Sequence, residues 1–175
     1  MRKLKVTELN RISVEEFKEA QKLPLVVVLD NVRSLYNVGS VFRTCDAFRI
    51  ESIYICGITA QPPQVELHKT ALGAEFTVDW QYYKDTRDAV KSLQEKGYIV
   101  YSVEQAEGST MLQDLQLDKS KKYAIVMGHE VKGVQQEVVD MSDGCIEIPQ
   151  YGTKHSLNVS VTTGIVIWDL FKKLR

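Results

Sequence analysis

The stretch LVVVLDNVRSLYNVGSVFRTCDAF, Leu25 to Phe48, decides the architecture of this chain. Leu25-Val-Val-Val-Leu29 is an unbroken β-branched run, the pattern of a strand covered on both faces in a parallel sheet. Asp30 to Asn37 is polar and reads as a loop. From Val38 to about Phe48 the apolar residues Val38, Val41, Phe42 and Cys45 recur at helical spacing, so a one-sided helix is expected there. Strand, loop and helix in that order open a parallel α/β domain.

The pattern repeats outward in both directions. Upstream, Ser13-Val-Glu-Glu16 is a capping box, with Ile12 and Phe17 at the positions of a hydrophobic staple. That helix should end before Pro24. Downstream, Ser52 to Ile58 reads as a strand, and Thr59 to Gln64, with Pro62-Pro63, as a loop. Val65 to Leu72 is a short helix stopped by Gly73, and Phe76 to Trp80 a short strand. Asp85 to Lys96 is an exposed helix with Gly97 past its end. Tyr98 to Val103 and Tyr123 to Met127 are strands. Between them, residues 104–121 are polar and carry no clear period. Gly133 to Met141 looks helical, and Cys145 to Ile148 is the last strand, stopped by Pro149, which has no N–H for a ladder.

The chain closes on a long apolar helix from about Ser156. Leu157, Val161, Ile165, Trp168 and Phe171 mark one side, and Val159, Val166, Ile167 and Leu170 crowd a second. A helix apolar on two sides must be covered on two sides, by its own domain or by a second subunit. Its small polar residues, Ser156, Asn158, Ser160, Thr162 and Thr163, gather near its start, where a ligand could be met.

Alternating strands and helices imply an α/β fold with a mostly parallel sheet and helices on both faces. A length of 175 residues suits one domain, 1–175, with 1–24 as a helical extension. In such sheets ligands bind beyond the carboxyl ends of the strands. The unusual polar loops after Leu29, Met127 and Ile148 are where a site is expected.

The composition, 44% apolar and 26% charged, is globular. A net charge of −1 argues against a protein that coats nucleic acid by bulk charge. No apolar run reaches the roughly 18 residues of a membrane span. The basic start MRKLKVTELNR has no apolar run behind it, so no signal peptide is expected. The odd, scattered cysteines Cys45, Cys56 and Cys145 read as buried thiols of a reducing, cytoplasmic setting, without disulfide or zinc.

Several ligand signatures are missing. None of the ten glycines forms a G-x-G pair. Gly128 and Gly133 have Walker spacing, but Val134-Gln135 stands where Lys-Ser/Thr is required. His68, His129 and His155 lack metal-ligand spacing, so no metal is expected. Ser156 has no nucleophile-elbow context.

Three polar clusters remain: Asn37-Val-Gly-Ser-Val-Phe-Arg-Thr44, Gly128-His-Glu-Val-Lys-Gly133, and Ile148-Pro-Gln-Tyr-Gly-Thr-Lys-His-Ser-Leu-Asn-Val-Ser-Val161. In this order and at these strand ends they resemble the three motifs of the SpoU (TrmH-type) branch of the SPOUT methyltransferases. The resemblance covers residues 25–170. It implies an S-adenosylmethionine-dependent RNA ribose 2′-O-methyltransferase acting on tRNA or rRNA, a C-terminal trefoil knot and a homodimer. Carried onto this sequence, it implies Arg43, Asn37, Glu130, Ser156 and Asn158 as catalytic-site residues. The backbone around Gly128, Ile148 and Leu157 would take the cofactor. Gln150 departs from the methionine that usually follows Ile-Pro.

The chemistry fits these residue types. A ribose hydroxyl must lose its proton and lie in line behind the methyl. An arginine keeps its proton, so Arg43 is read as stabilising the developing alkoxide. Its structural alternative is an ion pair with Asp46 or Asp30. Asn37 would cap the helix that carries Arg43. Glu130 would hold Arg43 or a substrate group by a charge-assisted bond, or simply flank Gly133 at a helix entry. Ser156 and Asn158 would otherwise be ordinary caps of the last helix. Ile148 and Leu157 would wall an adenine slot, and Gly128 would let the backbone approach it. Arg2, Lys3, Lys5, Arg11, Lys172, Lys173 and Arg175 are candidate RNA contacts or plain surface charges. Two other activities stay open: a non-catalytic RNA-binding relative, and a methyltransferase acting on a base or a small molecule.

Overall fold

A computed structural model describes every residue, Met1 to Arg175. Seven parallel strands form one sheet in the order β3-β2-β1-β6-β4-β7-β5. They are β1 (Leu23–Asp30), β2 (Ile50–Cys56), β3 (Trp80–Tyr83), β4 (Tyr98–Val103), β5 (Thr110–Met111), β6 (Lys122–Met127) and β7 (Gly144–Glu147). The helices are α1 (Val14–Glu19), α2 (Leu35–Ala47), α3 (Val65–Ala71), α4 (Ala74–Thr77), α5 (Thr86–Glu95), α6 (Gln136–Met141) and α7 (Val159–Leu174).

The β-branched run behaves as its composition requires. In β1, Leu25, Val27 and Leu29 point into one core with Phe42 of α2 and Ile167 of α7. Val26 and Val28 point into a second core with Val90 and Leu93 of α5 and Val138 of α6. Helices therefore cover both faces. Neighbouring β6 divides its side chains the same way, Ile125 to the first core and Val126 to the second.

Several boundaries differ from the sequence reading. The helix expected from Val38 starts at Leu35, because Ser34 caps it with a hydroxyl that accepts from the Asn37 N–H. Asn37 is thus inside the first turn and not the cap. Phe76 does not begin a strand. Gly73, at φ +96°, turns the chain into the one-turn α4, and the strand starts only at Trp80. The helix expected from Gly133 forms only from Gln136, since Gly133 closes a tight antiparallel bridge with His129. Helix α5, read as exposed, is capped by Asp85 and buries Ala89, Val90 and Leu93. The patternless stretch 104–121 holds β5 and a 3₁₀ turn, Leu112–Asp114.

One register detail places the site. Val103 of β4 and Thr110 of β5 both pair with Ile146 of β7. The connection 104–109 therefore arches over the end of the last strand. The chain leaves β7 beside this arch, and Gln105 Nε2 donates to the His155 carbonyl at 2.6 Å.

Candidate functional site

Four loops converge beyond the carboxyl ends of β1, β4, β6 and β7. Those after β4, β6 and β7 line a cleft of about 1050 Å³, whereas neither the loop after β1 nor Asn37 lines it. Gly128, Glu130, Ile148, Ser156, Leu157 and Asn158, all singled out from sequence, line it. Glu104 to Glu107 line it too, although no motif or period marks them in the sequence. The signal would have been topological: the arch closes the cleft only because β7 inserts between β4 and β5.

One continuous chain of bonds ties the loop after β1 to the residues of the cleft. The Glu130 carboxylate accepts from the backbone N–H of Arg33 and Ser34, both at 2.9 Å, and from Asn37 Nδ2 at 3.1 Å. Asn37 Oδ1 in turn accepts from Asn158 Nδ2 at 3.2 Å. Asn158 Oδ1 caps α7, accepting from the Ser160 and Val161 N–H groups. The three polar clusters are thus tied through Glu130, Asn37 and Asn158. Asn158 is both a cap and a site residue. Burial pushes the Glu130 carboxyl upward, but its hydrogen-bond donors outweigh that and hold it below the ordinary carboxylate value.

The loop after β6 is held from several sides. His129 Nδ1 accepts from the N–H groups of Val131 and Lys132, at 3.0 and 3.2 Å. Glu104 Oε2 accepts from Val134 N–H at 3.0 Å, and a Cβ on Gly133 would sit 2.1 Å from that oxygen. Gly128 is needed for a related reason. Its Cβ would lie 2.2 Å from the backbone of Gly133 and Val134, so the backbone it admits is its own hairpin. Beneath, fully buried Asp30 accepts from Thr86 Oγ1, Asn31 Nδ2, Gln135 Nε2 and the Gln135 N–H. These bonds fix the end of β1 to the start of α5 and to the residues before α6.

Two expectations fail here. Glu130 does not hold Arg43 and does not flank Gly133, where Glu104 stands instead. Arg43 forms no ion pair with Asp46 or Asp30. Asp46 accepts from Thr77 Oγ1 at 2.6 Å, and the donors above occupy Asp30. With Asn37 inside α2, the six-residue gap turns Arg43 about 240° away from it. Arg43 is exposed in a separate hollow between α2 and α3.

The exposed stripe of α7 links these two places. Leu157, just before the helix, and Val161, Ile165 and Trp168 on it are 40, 52, 38 and 52% exposed, whereas Val159, Thr163, Val166, Ile167 and Leu170 are buried. Leu157 borders the cleft. Trp168 packs on Phe48, 5.9 Å between ring centres, and Phe48 borders the hollow of Arg43.

The cleft fits an adenosine-bearing cofactor. Its volume is at the upper end of the range for small-molecule sites. Apolar Ile146, Ile148, Val139 and Leu157 supply walls, and the 128–134 and 148–158 loops bring main-chain groups to the rim. No group of three or more His, Cys, Asp or Glu side chains is placed to hold a metal, and no helix is long and apolar enough to cross a membrane.

Comparison with known proteins agrees with this geometry. The tRNA (guanosine(18)-2′-O)-methyltransferase of Thermus thermophilus is 30% identical over 163 residues, 93% of this chain and 82% of that protein. The crystal structure of the A. aeolicus TrmH/SpoU tRNA modifying enzyme superposes with a TM-score of 0.79 at 27% identity, covering 91% of this chain and 79% of that one. The AdoMet-bound rRNA methyltransferase of Sinorhizobium meliloti gives 0.80 at 28% identity, over 91% of this chain and 60% of that one. The pattern of the SpoU rRNA Methylase family matches residues 24–168, and with the fold and the three converging loops it establishes that the chain belongs to that family.

Proposed function

We propose that the protein transfers a methyl group from S-adenosylmethionine to a ribose 2′-hydroxyl of tRNA or rRNA. The observation that carries this reading is the bonded chain Glu130–Asn37–Asn158, which ties the start of α2 to the two loops, after β6 and β7, that line the cleft. Bound in the cleft, S-adenosylmethionine supplies a sulfonium-activated methyl. The chain's own residues do the rest. Ile148 and Leu157 would wall the adenosine, and the backbone about Gly128 would line its approach. Ser156 and Asn158 stand at the rim where the ribose arrives. The Arg43 guanidinium stabilises the developing alkoxide as the hydroxyl proton passes to solvent water.

Arg43 cannot do this within its own subunit, because it faces away from the cleft. A two-fold dimer resolves the geometry. The stripe from Val161 to Trp168 is about 10 Å long, with the cleft at one end and the hollow of Arg43 at the other. Antiparallel packing of two such stripes brings the partner's Arg43 to the cleft. Each complete site is then built by two chains.

Labelled methyl transfer to total RNA, followed by nuclease digestion and mass spectrometry, tests the reaction. A methylated ribose supports it; a methylated base, or RNA binding with no transfer, overturns it. The shared site is tested by mixing Arg43→Ala with the cleft-blocking Ile148→Arg. Subunit exchange should restore roughly a quarter of wild-type activity, since half the dimers are mixed and each holds one intact site. No activity in the mixture overturns the shared site.

A further inference from the structure

We propose that the hollow between α2 and α3 holds one backbone phosphate of the RNA, with Lys69 as its second cation beside Arg43; this rests on the RNA-methylation reading above. The hollow has a volume of about 450 Å³, room for a phosphate and its sugar, and no acidic side chain lines it. Arg43 and Lys69 border it from opposite helices. Both are exposed, and neither takes part in an ion pair or a hydrogen bond within the chain.

Their closeness is built into the crossing of the helices. A Cβ on Gly39 of α2 would lie 2.2 Å from the Leu67 carbonyl and from Thr70 Oγ1 of α3. Only glycine allows α3 to come so near, and this near approach sets Lys69 across from Arg43. The hydroxyls around the hollow are turned inward. Ser40 Oγ donates to the Tyr36 carbonyl at 2.8 Å, Thr44 Oγ1 to the Ser40 carbonyl at 3.0 Å, and Thr70 Oγ1 to the Tyr36 carbonyl at 2.9 Å. The free donors are therefore the two cations, a flat fork and a point charge, which together suit a phosphate. Two like charges sharing a hollow without an acid repel one another until an anion enters. The chemistry of the nucleotide agrees: a 2′-oxygen lies next to its own 3′-phosphate, so an arginine that meets the oxygen is within reach of that phosphate.

The test is the salt dependence of RNA affinity for wild type, Lys69→Ala and Lys69→Arg, with methyl-transfer kinetics and light scattering on each. In Lys69→Ala the slope of log affinity against log salt should fall by about 0.7 to 0.9, the loss of one phosphate contact. KM for RNA should rise more than kcat falls, and Lys69→Arg should keep most of the wild-type slope. An unchanged slope and KM in Lys69→Ala overturns the phosphate site while leaving the methylation reading intact. A lowered slope with no methyl transfer by wild type does the reverse. If Lys69→Ala turns a dimer into a monomer, the hollow is a subunit contact and the proposal falls; wild type that binds no RNA overturns both.

Discussion

Asn37 uses both ends of its amide, giving Nδ2 to Glu130 and taking a bond from Asn158 at Oδ1. Asn37→Asp keeps the shape but replaces the donor with a second carboxylate facing Glu130. It should destabilise the fold by about 1–3 kcal/mol, read by denaturant titration, and weaken cofactor binding with it. Glu130 makes a testable pH statement. Its carboxyl is held below its ordinary value of 4.5, so its contribution is complete above that value and is lost as pH falls through the lower, folded one. The melting temperatures of wild type and Glu130→Gln should differ at neutral pH and converge on acidification below 4.5. A constant gap would show that the charge is not involved. For Arg43→Ala, the loss of one alkoxide-stabilising group should lower kcat by about 10²- to 10³-fold at unchanged S-adenosylmethionine affinity, measured by single-turnover transfer and calorimetry. The identities of these residues were legible in the sequence, but their partners were not. Ser34 and Asn37 both look like caps, and only the position of Glu130 in space decides that Ser34 caps while Asn37 bonds across.

Helices α2 and α3 depend on one missing side chain. Gly39→Ala places a methyl against the Leu67 carbonyl, a backbone atom that cannot swing aside. The variant should lose about 1–3 kcal/mol in thermal or chemical unfolding. Helix α7 shows what periodicity can and cannot say. The spacing of its apolar residues gave the helix and both of its sides. It did not tell which side meets the sheet, because Val166 and Val161 are the same kind of residue and only topology separates them. The strand expected at Phe76 failed for a local reason. A left-handed Gly73 after a left-handed Leu72 reverses the chain too soon for an extended start. The α/β class survived such errors because β1, β2, β4 and β6 carry runs that only a sheet covered on both faces can bury.

At the scale of the molecule, the exposed α7 stripe is the surface that the dimer reading needs. Val161→Glu or Trp168→Glu should leave a folded monomer near 19.9 kDa by light scattering, with methyl transfer lost. A variant that stays dimeric would move the interface elsewhere. The parallel sheet was readable from the alternation of elements, but its order was not, since β7 enters between two strands made much earlier. The trefoil knot that the family resemblance implies would carry the C-terminal segment past the arch 104–109, to which Gln105 and His155 bind it.

The bond from Asn158 to Asn37 spans 121 positions of sequence. Synthesis runs from the amino end, so a ribosome has laid down most of the sheet before the other half of that bond exists. A nascent polypeptide halted short of position 158 has no cap for its final helix and leaves the Asn37 oxygen without its partner. Catalytic competence should therefore appear abruptly in a series of lengthening translation products.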